Sequence, residues 1–138
     1  MRYRVVIENK NHTFPIKGLN ELLGGRMYNF RTKKYHNPVK ADNDKKCLIA
    51  IKKYLKGVHI DKPIKCVFHI YTADKRHDRG NLCSAVEKSF LDALQTAKVI
   101  SNDGWDDVLD SVFYTTLDKE NPRVVVEIEV LEKELNYK

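Results

Sequence analysis

The sequence predicts an α+β domain, a small mixed sheet of about four strands carrying two main helices. Three observations predict it. Apolar and polar residues alternate over 2–8, 63–72 and 123–131, the period-two signature of half-buried strands. Apolar residues recur at helical spacing over 42–56 and 81–98. Strand and helix patterns interleave with no internal repeat and no linker, which points to one domain over residues 1–138.

Each element has its own warrant. "RYRVVIE" (2–8) reads as the first strand. Residues 10–40 are rich in Gly, Asn and Lys and read as a long loop, punctuated by Gly24-Gly25 and Asn37-Pro38. Loops of that length in a compact domain are usually functional or mobile. The helix over 42–56 has Cys47, Leu48, Ile51, Tyr54 and Leu55 on its apolar face, Asp42 as a plausible N-cap and Gly57 as its stop. "PIKCVFHIYT" is a strand, and His69, with no ligand partner in register, is a strand-face histidine. In the helix over 81–98, Leu82, Ala85, Val86, Ser89, Phe90, Ala93, Leu94 and Ala97 mark one continuous face. "DVLDSVFYTTL" (107–117) is a further strand, "DKENP" a hairpin turn, and "RVVVEIEVL" (123–131) the last strand.

Bulk properties narrow the function classes. No apolar run approaches the roughly 20 residues that span a bilayer, and "MRYRVVIENK" lacks the apolar core of a signal peptide. The expectation is a cytoplasmic protein with no membrane partner and no small-molecule cofactor. Cys47, Cys66 and Cys83 form no C-x-x-C pair and read as reduced packing residues. The formal charge of +6 is unevenly spread. Residues 1–65 hold 16 Lys/Arg against 5 Asp/Glu, whereas 66–138 hold 9 against 14. A basic half joined to an acidic half suggests a polyanion-binding surface beside a carboxylate cluster. In the long loop, Arg26, Arg31, Lys33 and Lys34 are interleaved with Tyr28, Phe30 and Tyr35, a mixture suited to phosphate contact and base stacking. Lys52, on the lysine-rich face of the first helix, and Arg76 and Arg79, flanking Asp78, are further candidates for phosphate contact.

The stretch "KRHDRGNLCSAVEKSFLDALQ" carries the chemistry-bearing pattern. At 100° per residue, Asn81, Ser84, Lys88, Asp92 and Gln95 share a sector of about 80°, offset from the apolar stripe. Asp78 precedes this helix and Asp103, in "SNDGWDD", follows it. If both helix ends fold onto one sheet edge, these carboxylates and Lys88 meet. Carboxylates from two loops with a lysine form a common setting for Mg²⁺ beside a phosphodiester.

The run Asn81-Leu82, Lys88, Leu91-Asp92-Ala93-Leu94, Ala97, Val99-Ile100 and Asn102-Asp103-Gly104-Trp105 resembles the RusA family of Holliday-junction resolvases, most of all its branch in phages of Gram-positive bacteria. "GLNELL", with Asn20, resembles the family's N-terminal Asn motif, and "ENPRVVVEIE" its closing strand. The resemblance implies an Mg²⁺-dependent, homodimeric endodeoxyribonuclease that nicks four-way and other branched DNA in recombination and repair. It implies Asp78 and Asp103 as metal-binding carboxylates, Lys88 as the catalytic lysine and Asp92 as a supporting acid also counted among the metal-site candidates. Two positions depart from the pattern. Gly80 stands where the family's D-x-D-N motif has its second acid, and the Asn81-to-Lys88 spacing is one helical turn longer than in the shortest members. Gly80 is either a lost ligand or a glycine required by a backbone turn. It also opens an alternative function, a branched-DNA-binding protein of the same fold with weakened or no cleavage.

Overall fold

The hydrophobic patterns resolve, in a computed structural model that describes residues 1–76 and 78–132, into β1 (Arg2–Ile7), α1 (Leu19–Gly24), β2 (Met27–Asn29), β3 (Lys34–His36), α2 (Pro38–Tyr54), β4 (Ile64–Thr72), α3 (Arg79–Thr96), β5 (Val108–Leu117) and β6 (Arg123–Val130). The main sheet has the order β1-β6-β4-β5, with β4 and β5 parallel and the other pairs antiparallel. This is the expected four-stranded mixed sheet with two main helices. Strict alternation along β4 buries Ile64, Cys66, Phe68, Ile70 and Thr72 and leaves Lys65, Val67, His69 and Tyr71 half-covered on the other face. Residues of both α2 and α3 join the buried side of β1, β4 and β6 in one core, so the two helices cover the same face. At its centre the Phe68 ring stacks on Phe113 (5.0 Å between centroids) and meets Phe90 edge-on at 5.7 Å. Cys47, Cys66 and Cys83 are buried and unpaired, and burial pushes the Cys47 and Cys66 thiols up to about 12. They are packing residues.

Three expectations about the elements need correction. First, residues 118–122 are not a hairpin turn, because β5 and β6 flank β4 on opposite sides. The helical crossover through α3 sets β5 parallel to β4, leaving the other edge of β4 to β6. The connection crosses the end of β4, where the Asp118 N–H donates to the Thr72 carbonyl at 2.8 Å. Arg123 then binds Asp118 at 2.9 Å and lies 4.0 Å from the Tyr71 ring centroid. Its guanidinium holds the Asp118 carboxyl below the usual carboxylate range.

Second, α2 begins at Pro38 rather than near residue 42. Asn37 is an N-cap whose side-chain oxygen accepts from the Val39 and Lys40 N–H groups, and Pro38 occupies the first turn, where a missing N–H costs nothing. Third, residues 10–40 are not one long loop. They fold into α1 and a β2–β3 hairpin. A fully buried Asn43 fastens this stretch to α2, since its side chain accepts from the Lys17 N–H and donates to the Lys17 carbonyl, both at 2.9 Å. Among the described residues, no helix is long and apolar enough to cross a membrane.

Candidate functional site

The N-terminus of α3 is fixed by Asp78, whose Oδ1 accepts from the Asn81 N–H at 3.0 Å. Beside it stands α1, fixed by Asn43, which bonds Lys17 just before the helix, and by Asn37, whose side-chain amide donates to the Leu22 carbonyl at 2.6 Å. The result is a cleft of about 130 Å³ lined by Gly18, Asn20, Glu21, Arg76, Asp78, Asn81 and Leu82. Asn20, Arg76, Asp78 and Asn81 come together here from two segments distant in sequence. Glu21, a second carboxylate in the cleft, was not singled out by the sequence; its position directly after Asn20 is the only signal that could have found it. Arg79 faces a neighbouring cleft with Thr72, Lys75 and Leu117.

The remaining residues of the predicted set lie elsewhere. Lys88 shares the helix face of Asn81 but sits about 10 Å further along the axis. Asp92 lies about 21 Å from Asp78 by the same measure. Both Asp92 oxygens are engaged, Oδ1 by Lys88 and Oδ2 by Lys40, each at 3.2 Å. Lys40 also binds Asp44 at 2.7 Å, so a chain of four charges ties the first turns of α2 to the middle of α3. Burial works against the Lys40 charge, but Asp44 and then Asp92 outweigh it and raise its pKa. Lys40 was not among the predicted residues, though its i, i+4 spacing to Asp44 was readable.

Asp103 lies beyond the far end of α3, which at 18 residues is about 27 Å long. There the Asp107 and Val108 N–H groups donate to the Gly104 carbonyl, and the Asp107 carbonyl accepts from Ile64 at the start of β4. Asp78 follows the opposite end of that strand. One chain therefore does not gather Asp78, Asp92 and Asp103, and no group of three His, Cys, Asp or Glu able to hold a metal occurs among the described residues. The expectation that both helix ends meet at one sheet edge is corrected by the length of α3.

The basic candidates fall into two regions. Arg26, Arg31, Lys33 and Lys34 belong to the β2–β3 hairpin, all exposed. Lys52, near the C-terminal end of α2, lines a separate cleft with Lys56 and His59. Gly80, in the first turn of α3, has no left-handed φ, and a side chain there would meet only Asp78 Oδ1 at 3.5 Å. The backbone does not require glycine. Compared with known proteins, the chain matches no family model and no curated protein.

Proposed function

We propose that this chain is an Mg²⁺-dependent, structure-selective endodeoxyribonuclease that acts as a homodimer on four-way and other branched DNA junctions. The observation that carries the reading is the cleft at the α3 N-terminus, where Asn20 from one resembling motif stands beside Asp78 and Asn81 from another. Its donor set suits Mg²⁺, which takes one or two carboxylates and keeps several waters. Asp78 with Glu21, or with Asp103 of a second copy, is a set of that size. When bound, the ion polarises the phosphodiester and activates a water. The chain's own groups do the rest. Arg76, in the same cleft, draws in the phosphate. Lys88, on the same helix face about 10 Å along the axis from Asn81, leaves its pair with Asp92 and extends toward the cleft to offset negative charge that builds on the phosphate oxygens. The hairpin cations hold the flanking backbone.

A second reading has its own support. Gly80 in place of an acid, and an Asp92 neutralised by two lysines, favour a junction-binding protein without cleavage. A labelled synthetic four-way junction separates the two. The nuclease reading expects paired nicks across the branch with Mg²⁺, none with EDTA, and an intact linear duplex. Tight junction binding with no nick at any Mg²⁺ concentration establishes the second reading.

A further inference from the structure

The β2–β3 hairpin pairs Met27 with His36, Tyr28 with Tyr35 and Asn29 with Lys34, and forms a sheet of its own. That register puts Tyr28 and Tyr35 opposite each other on one face, with ring centroids 4.9 Å apart. Phe30 continues the same face and meets Tyr28 edge-on at 4.9 Å. The Arg26 guanidinium lies 4.1 Å from the Tyr35 ring centroid and closes the row. These rings pack on one another and not into the core. Phe30 is 85% and Tyr35 61% exposed.

The hairpin turn is shaped by its own side chains. The Asn29 side-chain oxygen accepts from the Arg31 and Thr32 N–H groups at 2.9 and 3.2 Å, and Lys33 turns the chain in the left-handed region at φ 56°. At the base, Gly25 is pressed against α2, and a Cβ there would lie 2.6 Å from Val39 and 2.7 Å from the Asn37 side chain. The arm thus presents exposed aromatic rings next in sequence to three exposed cations, Arg31, Lys33 and Lys34. Exposed rings alone would suit several partners. Exposed rings beside three exposed cations on one hairpin suit a ligand that alternates flat apolar faces with phosphates, which is a nucleic acid strand.

We infer that the hairpin is a base-stacking wedge, with Phe30 entering the stack at unpaired or branch-point bases while Arg31, Lys33 and Lys34 hold the adjacent phosphates. Apolar side chains inserted between base steps unstack and kink DNA in this way. Unstacking costs least where pairing is already broken, so the wedge itself favours branched over linear DNA. The inference rests on the DNA-binding part of the proposed function and is independent of cleavage.

The test uses a four-way junction carrying 2-aminopurine at the branch point, in EDTA, with saturating protein. Unstacking raises its fluorescence. The wild type is expected to raise it several-fold on the junction and not on a matched linear duplex. Phe30→Ala loses the rise and binds the junction about tenfold more weakly, on the order of one base–aromatic stack. Phe30→Trp keeps the rise. The triple variant Arg31→Ala, Lys33→Ala, Lys34→Ala binds more weakly and with a flatter dependence on log salt, yet still unstacks the base at saturation. Junction binding by the wild type without any rise overturns the wedge and leaves the DNA reading standing. An undiminished rise with Phe30→Ala also overturns it. Failure to bind any DNA overturns both, as does Phe30-dependent binding to anionic vesicles instead.

Discussion

At the residue scale, Gly80 links the fold to the chemistry in question. It lies in the first turn of α3, in ordinary helical backbone, with room for a side chain. Glycine there gains nothing conformationally and leaves the unfolded chain freer than any other residue would. A negative charge in that turn also complements the helix dipole, and α3 has no acid in its first turn. Gly80→Asp is therefore expected to raise stability, by less than about 1 kcal/mol because its carboxylate also lies beside that of Asp78. If the position is also a lost ligand, Mg²⁺ will raise the melting temperature of the variant more than that of the wild type, since binding to the native state alone stabilises it. Thermal melts across an Mg²⁺ series check both. A less stable variant refutes the helical account, and equal Mg²⁺ shifts in the two proteins refute the lost ligand. Asn43 makes a contrasting case. Asn43→Ala strands the Lys17 N–H and carbonyl and leaves a void, so a loss of about 2–3 kcal/mol is expected by denaturant titration. Because that contact fixes the chain just before α1, junction affinity is expected to fall with it. Unchanged stability would show that the Lys17 segment does not depend on Asn43.

At the element scale, the pairing of α2 with α3 is reinforced by the chain Asp44–Lys40–Asp92–Lys88. Lys40 is partly screened by solvent, so Lys40→Met is expected to cost about 1 kcal/mol or less. Its pKa is raised above 10.5, so its contribution is fully present below pH 10.5 and fades as pH rises through the higher folded value. The stability gap between wild type and Lys40→Met should narrow in alkaline denaturation curves, and a gap constant with pH would remove the ionic explanation. Lys88, at the exposed end of the same chain, separates structure from catalysis. Lys88→Ala should barely change melting yet lower nicking by orders of magnitude; a normal nicking rate makes it a surface ion pair. Elements like these were legible in the sequence where periodicity ran long. Three strands of the main sheet and both long helices follow from alternation and the 3.6-residue stripe, whereas β5, read as a strand over 107–117, shows no such alternation of burial. The start of α2 was missed because Asn37-Pro38 signals both a break and a cap, and only the helix beyond it decides between them. The α1 helix and the β2–β3 hairpin were missed because elements of six and three residues are too short for a period. The aromatic row became visible only once register placed Tyr28 opposite Tyr35. The place of β6 between β1 and β4 is a non-local pairing that local pattern does not encode.

At the scale of the whole molecule, the proposed site draws on residues at opposite ends of α3. The sequence held the warning, since a helix of 18 residues holds its ends about 27 Å apart. The cleft around Asp78 was partly legible, through Asn20 and Asn81, but the distance to Asp103 makes the two carboxylates members of one site only if two chains contribute. A four-way junction has two-fold symmetry, and a symmetric dimer would place two such shared sites across it. Mixing two inactive variants tests this arrangement. Asp78→Asn and Asp103→Asn are each expected to abolish Mg²⁺-dependent nicking while leaving junction binding intact. In a mixed dimer with sites shared between chains, one site receives both substitutions and the other receives neither. Random exchange of subunits makes about half the dimers mixed, so about one quarter of all sites regain their full set of carboxylates. The mixture should nick junctions although neither parent does, and each mixed dimer, holding one intact site, should leave single nicks where the wild type leaves pairs. If both variants are inactive and their mixture is inactive too, after exchange has been verified by an affinity tag carried by one variant only, no site is shared between chains. If Asp103→Asn alone nicks at the wild-type rate, Asp103 is a turn residue, and Asp78 acts with Glu21 inside a single chain.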